Sequence, residues 1–233
     1  MKTLAIIPAR SGSKGIKDKN IQLLGNLPLI AYSIQAAKNS GIFDKILVST
    51  DSKYYADIAK NYGADVPFLR SAKNSNDTAT SIACILEVLE CYAKIKTFFD
   101  IVVLLQPTSP FRTATDIKNA FSLFKKCDFQ GLCSVHPATD NPLLLREFSA
   151  PYLENILKES STKRRQDFKT YYKVNGAIYI NLTKEITPNT SLNDNPIGFI
   201  MDPLNAIDID SHIDFKIAQM LLSEKLIPHF DFL

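Results

Sequence analysis

The hydrophobic positions of this chain fall into short apolar runs separated by longer amphipathic stretches. Runs rich in Ile, Val and Leu at 3–9, 45–50, 65–69, 100–105 and 131–135 read as buried strands. Between them, apolar residues recur at helical spacing over about 28–39, 52–62, 78–94 and 114–126. Apolar strands alternating with helices predict an α/β fold with a mostly parallel sheet covered by helices. Ligands of such sheets sit off the C-terminal ends of the strands. The loops at 10–20, 50–52, 70–78 and 106–112 are therefore where function is sought.

The rhythm breaks after Pro137. Residues 137–172 mix polar, proline and basic segments and read as an excursion from the sheet, a dimer arm or a lid. A strand resumes at "VNGAIYIN" (174–181), and a last strand-like run, "AIDID" at 206–210, leads into a helix over about 211–225. No internal repeat or long linker divides the chain, so residues 1–233 are expected to form one domain.

Composition narrows the function classes. A net charge of +3 is too small to argue for nucleic acid or a membrane surface. No run approaches the roughly 20 apolar residues that span a bilayer, and the immediate entry into a strand leaves no room for a signal peptide. The four cysteines (84, 91, 127 and 133) form no C-x-x-C pair, and the three histidines show no zinc spacing. A reducing cytoplasmic setting fits.

The chemistry concentrates in a few stretches. "IIPARSGSKGIKDKN" (6–20) ends a buried run in a loop carrying Arg10, Lys14, Lys17 and Lys19 around Gly12 and Gly15. Small residues let backbone N–H groups approach an anion while the cations neutralise it, which suggests a phosphate; a solvated turn is the plain alternative. It is neither a Walker A motif nor a dinucleotide fingerprint. In "AIDIDS", strand alternation would project Asp208 and Asp210 together, as for a divalent cation. Helix capping competes, since Ser211 and Asp214 match a capping box. "QPTSPFR" (106–112) sets Gln106, Thr108, Ser109 and Arg112 in a proline-stiffened loop at the sheet's rim, with Thr113 or Thr115 and Asp116 able to start the next helix. In "RRQDFKTYYK", Arg164, Arg165, Lys169 and Lys173 alternate with aromatics and suit a solvated surface, a nucleic acid or a carboxylate clamp. Asp51 in "VSTDS" is expected to cap a helix.

In order along the chain, "IIPARSGSKGIKDKN", "VSTDS", "LRSAKNSNDTATS", "LLQPTSPFR", "RRQ", "NGAIYIN" and "IDIDS" resemble the acylneuraminate cytidylyltransferases, or CMP-sialic acid synthetases, including members like the CMP-legionaminate synthetases. The resemblance spans residues 4 to about 214. It implies a three-layer α/β/α, Rossmann-like nucleotide-diphospho-sugar transferase fold, with residues 137–172 as a dimerisation and sugar-site excursion. It also implies a cytoplasmic enzyme of surface-glycan synthesis that needs Mg²⁺. The reaction transfers CMP from CTP to the anomeric hydroxyl of a nine-carbon α-keto sugar acid and releases pyrophosphate.

Carried over residue by residue, the resemblance puts Arg10, Ser13, Lys19, Asn20, Arg70 and Ser81 on the nucleotide. Asp208 and Asp210 become the metal carboxylates, and with Arg10 and Lys19 they form the catalytic set. Gln106, Arg165, Lys173, Asn175 and Tyr179 fall on the sugar-acid side. Two departures touch that side. Lys173 stands where some sialic acid enzymes have arginine, and the segment between Asn181 and Asp202 lacks the paired phenylalanines of some members. The competing readings are a cytidylyltransferase for the eight-carbon acid Kdo and a silent nucleotide- or RNA-binding module.

Overall fold

Leu4 and Ile6 enter one hydrophobic cluster and Ala5 and Ile7 another, so the first strand is buried on both faces. The computed structural model that shows this describes residues 1–12, 15–159, 162 and 164–227. The chain runs β1 (Thr3–Pro8), the short pair β2 (Leu23–Leu24) and β3 (Leu27–Pro28), α1 (Leu29–Ser40), β4 (Lys45–Ser49), α2 (Lys53–Asn61), α3 (Ser81–Lys94), β5 (Ile101–Leu104) and α4 (Ala114–Lys126). It continues through β6 (Leu132–Pro137), β7 (Arg146–Ser149), β8 (Tyr152–Asn155), β9 (Tyr172–Leu182), β10 (Ile197–Ile200) and α5 (His212–Ser223).

The main sheet has six strands in the order β10-β6-β9-β5-β1-β4. Only β9 runs antiparallel to its neighbours; the remaining pairs are parallel. One cluster joins α1, α2 and α4 to the sheet, and the other joins α3 to the opposite face. This is the expected three-layer α/β/α arrangement. A third cluster brings Ile16, Phe111 and Ile209 together with Leu24, Phe215 and Leu221. It welds the basic loop, the "QPTSPF" loop and the "IDID" segment to α5. Burying each such side chain contributes roughly 1.5–3 kcal/mol, enough to hold three otherwise irregular segments in one place.

Two expected strands are not strands. Over 65–69 the ladder shrinks to a single bridge, Leu47 to Asp65, because Pro67 has no N–H to continue it. Residues 206–210 are irregular; the edge beside β6 is taken instead by β10. The helices lie within a few residues of their expected bounds. Ser52 and Thr80 cap α2 and α3, and the Thr113–Asp116 and Ser211–Asp214 capping boxes both form. Residues 137–172 do leave the sheet, carrying the separate hairpin β7–β8.

Candidate active site

The ends of β1 and β5 open into one cleft of about 510 Å³, walled by the loops that follow them, by Arg70, by Asp208 and Asp210 and by the start of α3. Of the expected site residues it gathers Arg10, Lys19, Asn20, Arg70, Ser81 and Gln106, together with Asp208 and Asp210. Ser13 lies outside the described residues.

The basic loop is held at several points. Asp51 accepts from the Ser11 N–H (2.7 Å) and hydroxyl (2.8 Å). It is thus a tether for the loop; the cap of α2 is Ser52, which corrects the expectation for Asp51. Burial alone would raise the Asp51 carboxyl, but the Ser11 hydrogen bonds and the Arg70 charge bring it below its ordinary range. Asn20 donates to the Arg10 carbonyl (3.1 Å), and Tyr55 donates to Asp18 (2.8 Å). Gly15 packs so closely on the Asp210 carbonyl that a Cβ there would sit 2.6 Å from the oxygen. The glycine is required by that close approach.

Lys19 is nearly buried. Its Nζ donates to the Ile209 carbonyl (2.6 Å) and to Asp210 (3.1 Å). Arg10 pairs with Asp77 (2.8 Å), on the loop that Glu87 holds through the Ser71 N–H and the Asn74 amide. The buried Arg70 donates to the Ser49 hydroxyl (2.9 Å) and carbonyl (2.6 Å). Beside it, Thr80 and Ser81 begin α3, so a helix N-terminus adds partial positive charge to the same wall.

Asp208 and Asp210 do meet at the cleft, by a route other than strand alternation. Thr108 accepts the Ile209 N–H at its carbonyl (2.8 Å) and hydrogen-bonds the Asp208 carboxylate through its side chain. Desolvation raises the Asp208 carboxyl; the Thr108 hydrogen bond opposes this, Asp210 adds to it, and Lys19 and Lys173 oppose it. Asp208 keeps accessible surface toward the cleft, so water tempers the desolvation. The net result is a carboxylate that gains from a nearby cation. Capping holds as well, since Asp214 accepts from the Ser211 and Asp210 N–H groups and leaves both aspartates facing the cleft.

The "QPTSPF" loop is braced from beneath. Arg112 is fully buried and donates to the carbonyls of Gln106 (3.2 Å) and Ala177 (2.8 Å) and to the Ser33 hydroxyl (2.6 Å). It is not a rim group, as the sequence suggested. Burial pulls its guanidinium down to about 9, still charged at neutral pH. Gly176, at φ +75°, passes so near Gln106 that a Cβ would meet its Oε1 at 2.5 Å.

The expected sugar-side residues scatter. Gln106 lines the cleft, while Lys173 and Asn175 line a second cavity that shares Asp208 with it. The Asn175 carbonyl oxygen accepts from Ser134 (2.5 Å) and the Ala177 N–H (3.1 Å), so this amide braces the β6–β9 bulge. Tyr179 is buried, donates to Asn193 (2.6 Å) and lines neither cavity. Arg165 lies in the excursion, in a separate pocket of about 390 Å³ with Asp140, Phe168 and Lys169. Asp77 and the tether role of Asp51 escaped sequence reasoning, because each acts on a segment far away in sequence.

A basic loop, a helix N-terminus and a carboxylate pair gathered off the carboxyl edge of a mostly parallel sheet are the features of a nucleotide-handling α/β transferase. The model of the cytidylyltransferase family matches residues 4–186. This chain belongs to that family and is a nucleotidyltransferase. It is 39% identical over 230 residues to a CMP-N,N'-diacetyllegionaminic acid synthase of Legionella pneumophila, covering 95% of this chain and 97% of that protein. It is 35% identical to an N-acylneuraminate cytidylyltransferase of Escherichia coli, over 96% of this chain but 53% of the relative. In fold it is similar to a CMP:2-keto-3-deoxy-manno-octonic acid synthetase complexed with CTP, at a TM-score of 0.71 and 16% identity, covering 97% of this chain and all of that one. No helix among the described residues is long and apolar enough to cross a membrane.

Proposed function

We propose that this enzyme transfers CMP from CTP to the anomeric hydroxyl of a nonulosonic acid, releasing pyrophosphate. The observation that carries the reading is the cleft in which Arg10, Lys19 and Arg70 face the Asp208–Asp210 pair, in a chain of the cytidylyltransferase family. Arg10 and Lys19 neutralise the triphosphate, and Asn20, Arg70 and Ser81 take the nucleoside side. In-line attack at phosphorus needs alignment and charge neutralisation more than a protein nucleophile.

The two carboxylates fit Mg²⁺. They are hard oxygen donors, and no third His, Cys, Asp or Glu joins them among the described residues, which leaves positions for waters and phosphate oxygens. Bound there, the ion would supply Lewis-acid stabilisation of charge at the α-phosphate and the departing pyrophosphate. Lys19 holds Asp210, Thr108 holds Asp208, and Gly15 brings the basic loop against the Asp210 backbone.

A nine-carbon acid is favoured over Kdo. The relative matching nearly the whole chain at 39% identity is named for a legionaminic acid, whereas the octonic acid synthetase is similar at 16%. A homodimer is part of this reading. The β7–β8 hairpin exposes Phe148, Tyr152 and Leu153, an apolar surface suited to a second copy. Arg165 sits too far out in the excursion to share this chain's nucleotide cleft, and serves as a clamp if it reaches the partner's. Four free cysteines suit the reducing cytoplasm where CTP is found.

The test is pyrophosphate release from CTP and Mg²⁺ with N,N'-diacetyllegionaminate, N-acetylneuraminate, pseudaminate and Kdo. Strong preference for the legionaminate is the expected result. Preference for Kdo, or no release with any acid from folded protein that binds CTP, would overturn the reading.

A further inference from the structure

The cavity beyond Asp208, about 800 Å³, contains a polar group that nothing above uses. His136 and Lys173 are register partners on antiparallel β6 and β9, so their side chains emerge on the same face, and both line this cavity. The other polar side chains there are largely committed. Asn175 is bonded to Ser134 and Ala177, and Asp214 caps α5. The Lys173 side chain makes no hydrogen bond or ion pair with a described residue, and the Nδ1 of His136 is buried with no partner among them. A buried, unpaired ring nitrogen is unfavourable by about 1–3 kcal/mol. Turning the imidazole toward the cavity breaks no hydrogen bond at Nδ1, so a ligand group can recruit that atom with little reorganisation.

We propose that His136 is a substrate-binding, specificity-determining residue, its imidazole exchanging a hydrogen bond with a hydroxyl of the acceptor sugar acid while the neighbouring Lys173 takes the carboxylate. The assignment rests on the reaction proposed above, which brings the acceptor to Asp208, the residue shared by both cavities. Burial and then the Lys173 charge lower the imidazole's pKa, so it meets the ligand as a neutral group with one donor and one acceptor. A sugar hydroxyl, itself donor and acceptor, matches it. A carboxylate matches Lys173 better. The pair thus separates the two features of a polyhydroxylated α-keto acid. His136 joins Asn175 and Lys173 in the lining of that cavity.

The experiment compares steady-state constants for both substrates in wild type, H136F and H136N. Phe keeps the ring's volume without its nitrogens, and Asn restores a polar atom near the Nδ1 position. H136F is expected to raise KM for the sugar acid about tenfold, the scale of one hydrogen bond, with KM for CTP within about twofold. H136N is expected to recover most of that loss. An unchanged KM for the acid, or equal rises for both substrates, would overturn the assignment. If H136F does not fold, H136A with added imidazole carries the test; rescue of the acid's KM supports the assignment and failure of rescue refutes it. Ligand-detected NMR of the acid separates the two proposals. A wild-type enzyme that turns over no acid overturns the reaction, whereas equal binding by wild type and H136F overturns only the role of His136.

Discussion

Asp208 carries opposing demands in a single side chain. Its carboxyl is raised by desolvation and by Asp210, so the folded state prefers it protonated. For an acid whose folded pKa lies above its unfolded value, the related stability is present below the unfolded pKa, near 4, and is lost as pH rises through the folded value. At neutral pH the ionised group therefore opposes folding. Asp208→Asn is expected to raise Tm in a thermal melt without metal while lowering kcat by at least ~100-fold, the scale of one preorganised electrostatic contact. Asp51 has the opposite sign. Its carboxyl is held low, so its contribution is present above the ordinary aspartate range and fades as pH falls through the folded value. Asp51→Asn keeps one acceptor for Ser11 and loses the second; a KM for CTP raised several-fold, with the acid's KM little changed, is the expected kinetic result. The carboxylate pair was legible as residue types. That Asp51 ties a loop was not, because an Asp between strand and helix reads equally as a cap, and its partner Ser11 lies 40 residues away.

The elements that make the cleft are irregular loops fastened to regular ones. Gly15 lies 2.6 Å, measured from an added Cβ, from a backbone oxygen that no rotamer change can move. Gly15→Ala should push the basic loop away from Asp210 and lower kcat/KM for CTP by about tenfold or more, with circular dichroism unchanged. Arg112 is the brace under the "QPTSPF" loop. Arg112→Met would leave the Ala177 carbonyl and the Ser33 hydroxyl short of a donor, at on the order of 1–3 kcal/mol each where no other donor reaches them, while the Gln106 carbonyl keeps the Ser109 N–H and the Ser33 hydroxyl. A fall in Tm of roughly 4 °C or more follows for a chain of this size, measurable by calorimetry. The helices and core strands were readable because their periodicity and capping residues are local. The strand expected at 206–210 was not there, since alternation of Ile and Asp also serves a segment that buries Ile209 beside Ile16 and Phe111.

At the scale of the molecule, the exposed apolar hairpin is the surface that the proposed dimer would cover. In the proposed dimer, Leu153→Glu in β8 should shift the enzyme toward monomer in light scattering at micromolar concentration. It should also raise the acid's KM if the excursion completes the neighbouring site. A wild-type protein that is monomeric at the same concentration would refute the dimer.

The sequence alone determined the α/β class, the helices, most core strands and the loops where the site was sought, and its resemblance to the cytidylyltransferases implied nucleotide-handling roles for "IIPARSGSKGIKDKN" and "IDIDS". Hydrophobic period, capping residues and charge act over a few neighbours, so they can be read in one dimension. Tertiary structure alone decided the antiparallel insertion of β9, the displacement of the 206–210 segment by β10, and the buried place of Arg112. It also set Asn175 to brace a bulge and left His136 facing a cavity with Lys173. Each of those outcomes depends on which distant segment supplies a hydrogen-bond partner, and that is settled only when the sheet and its loops pack.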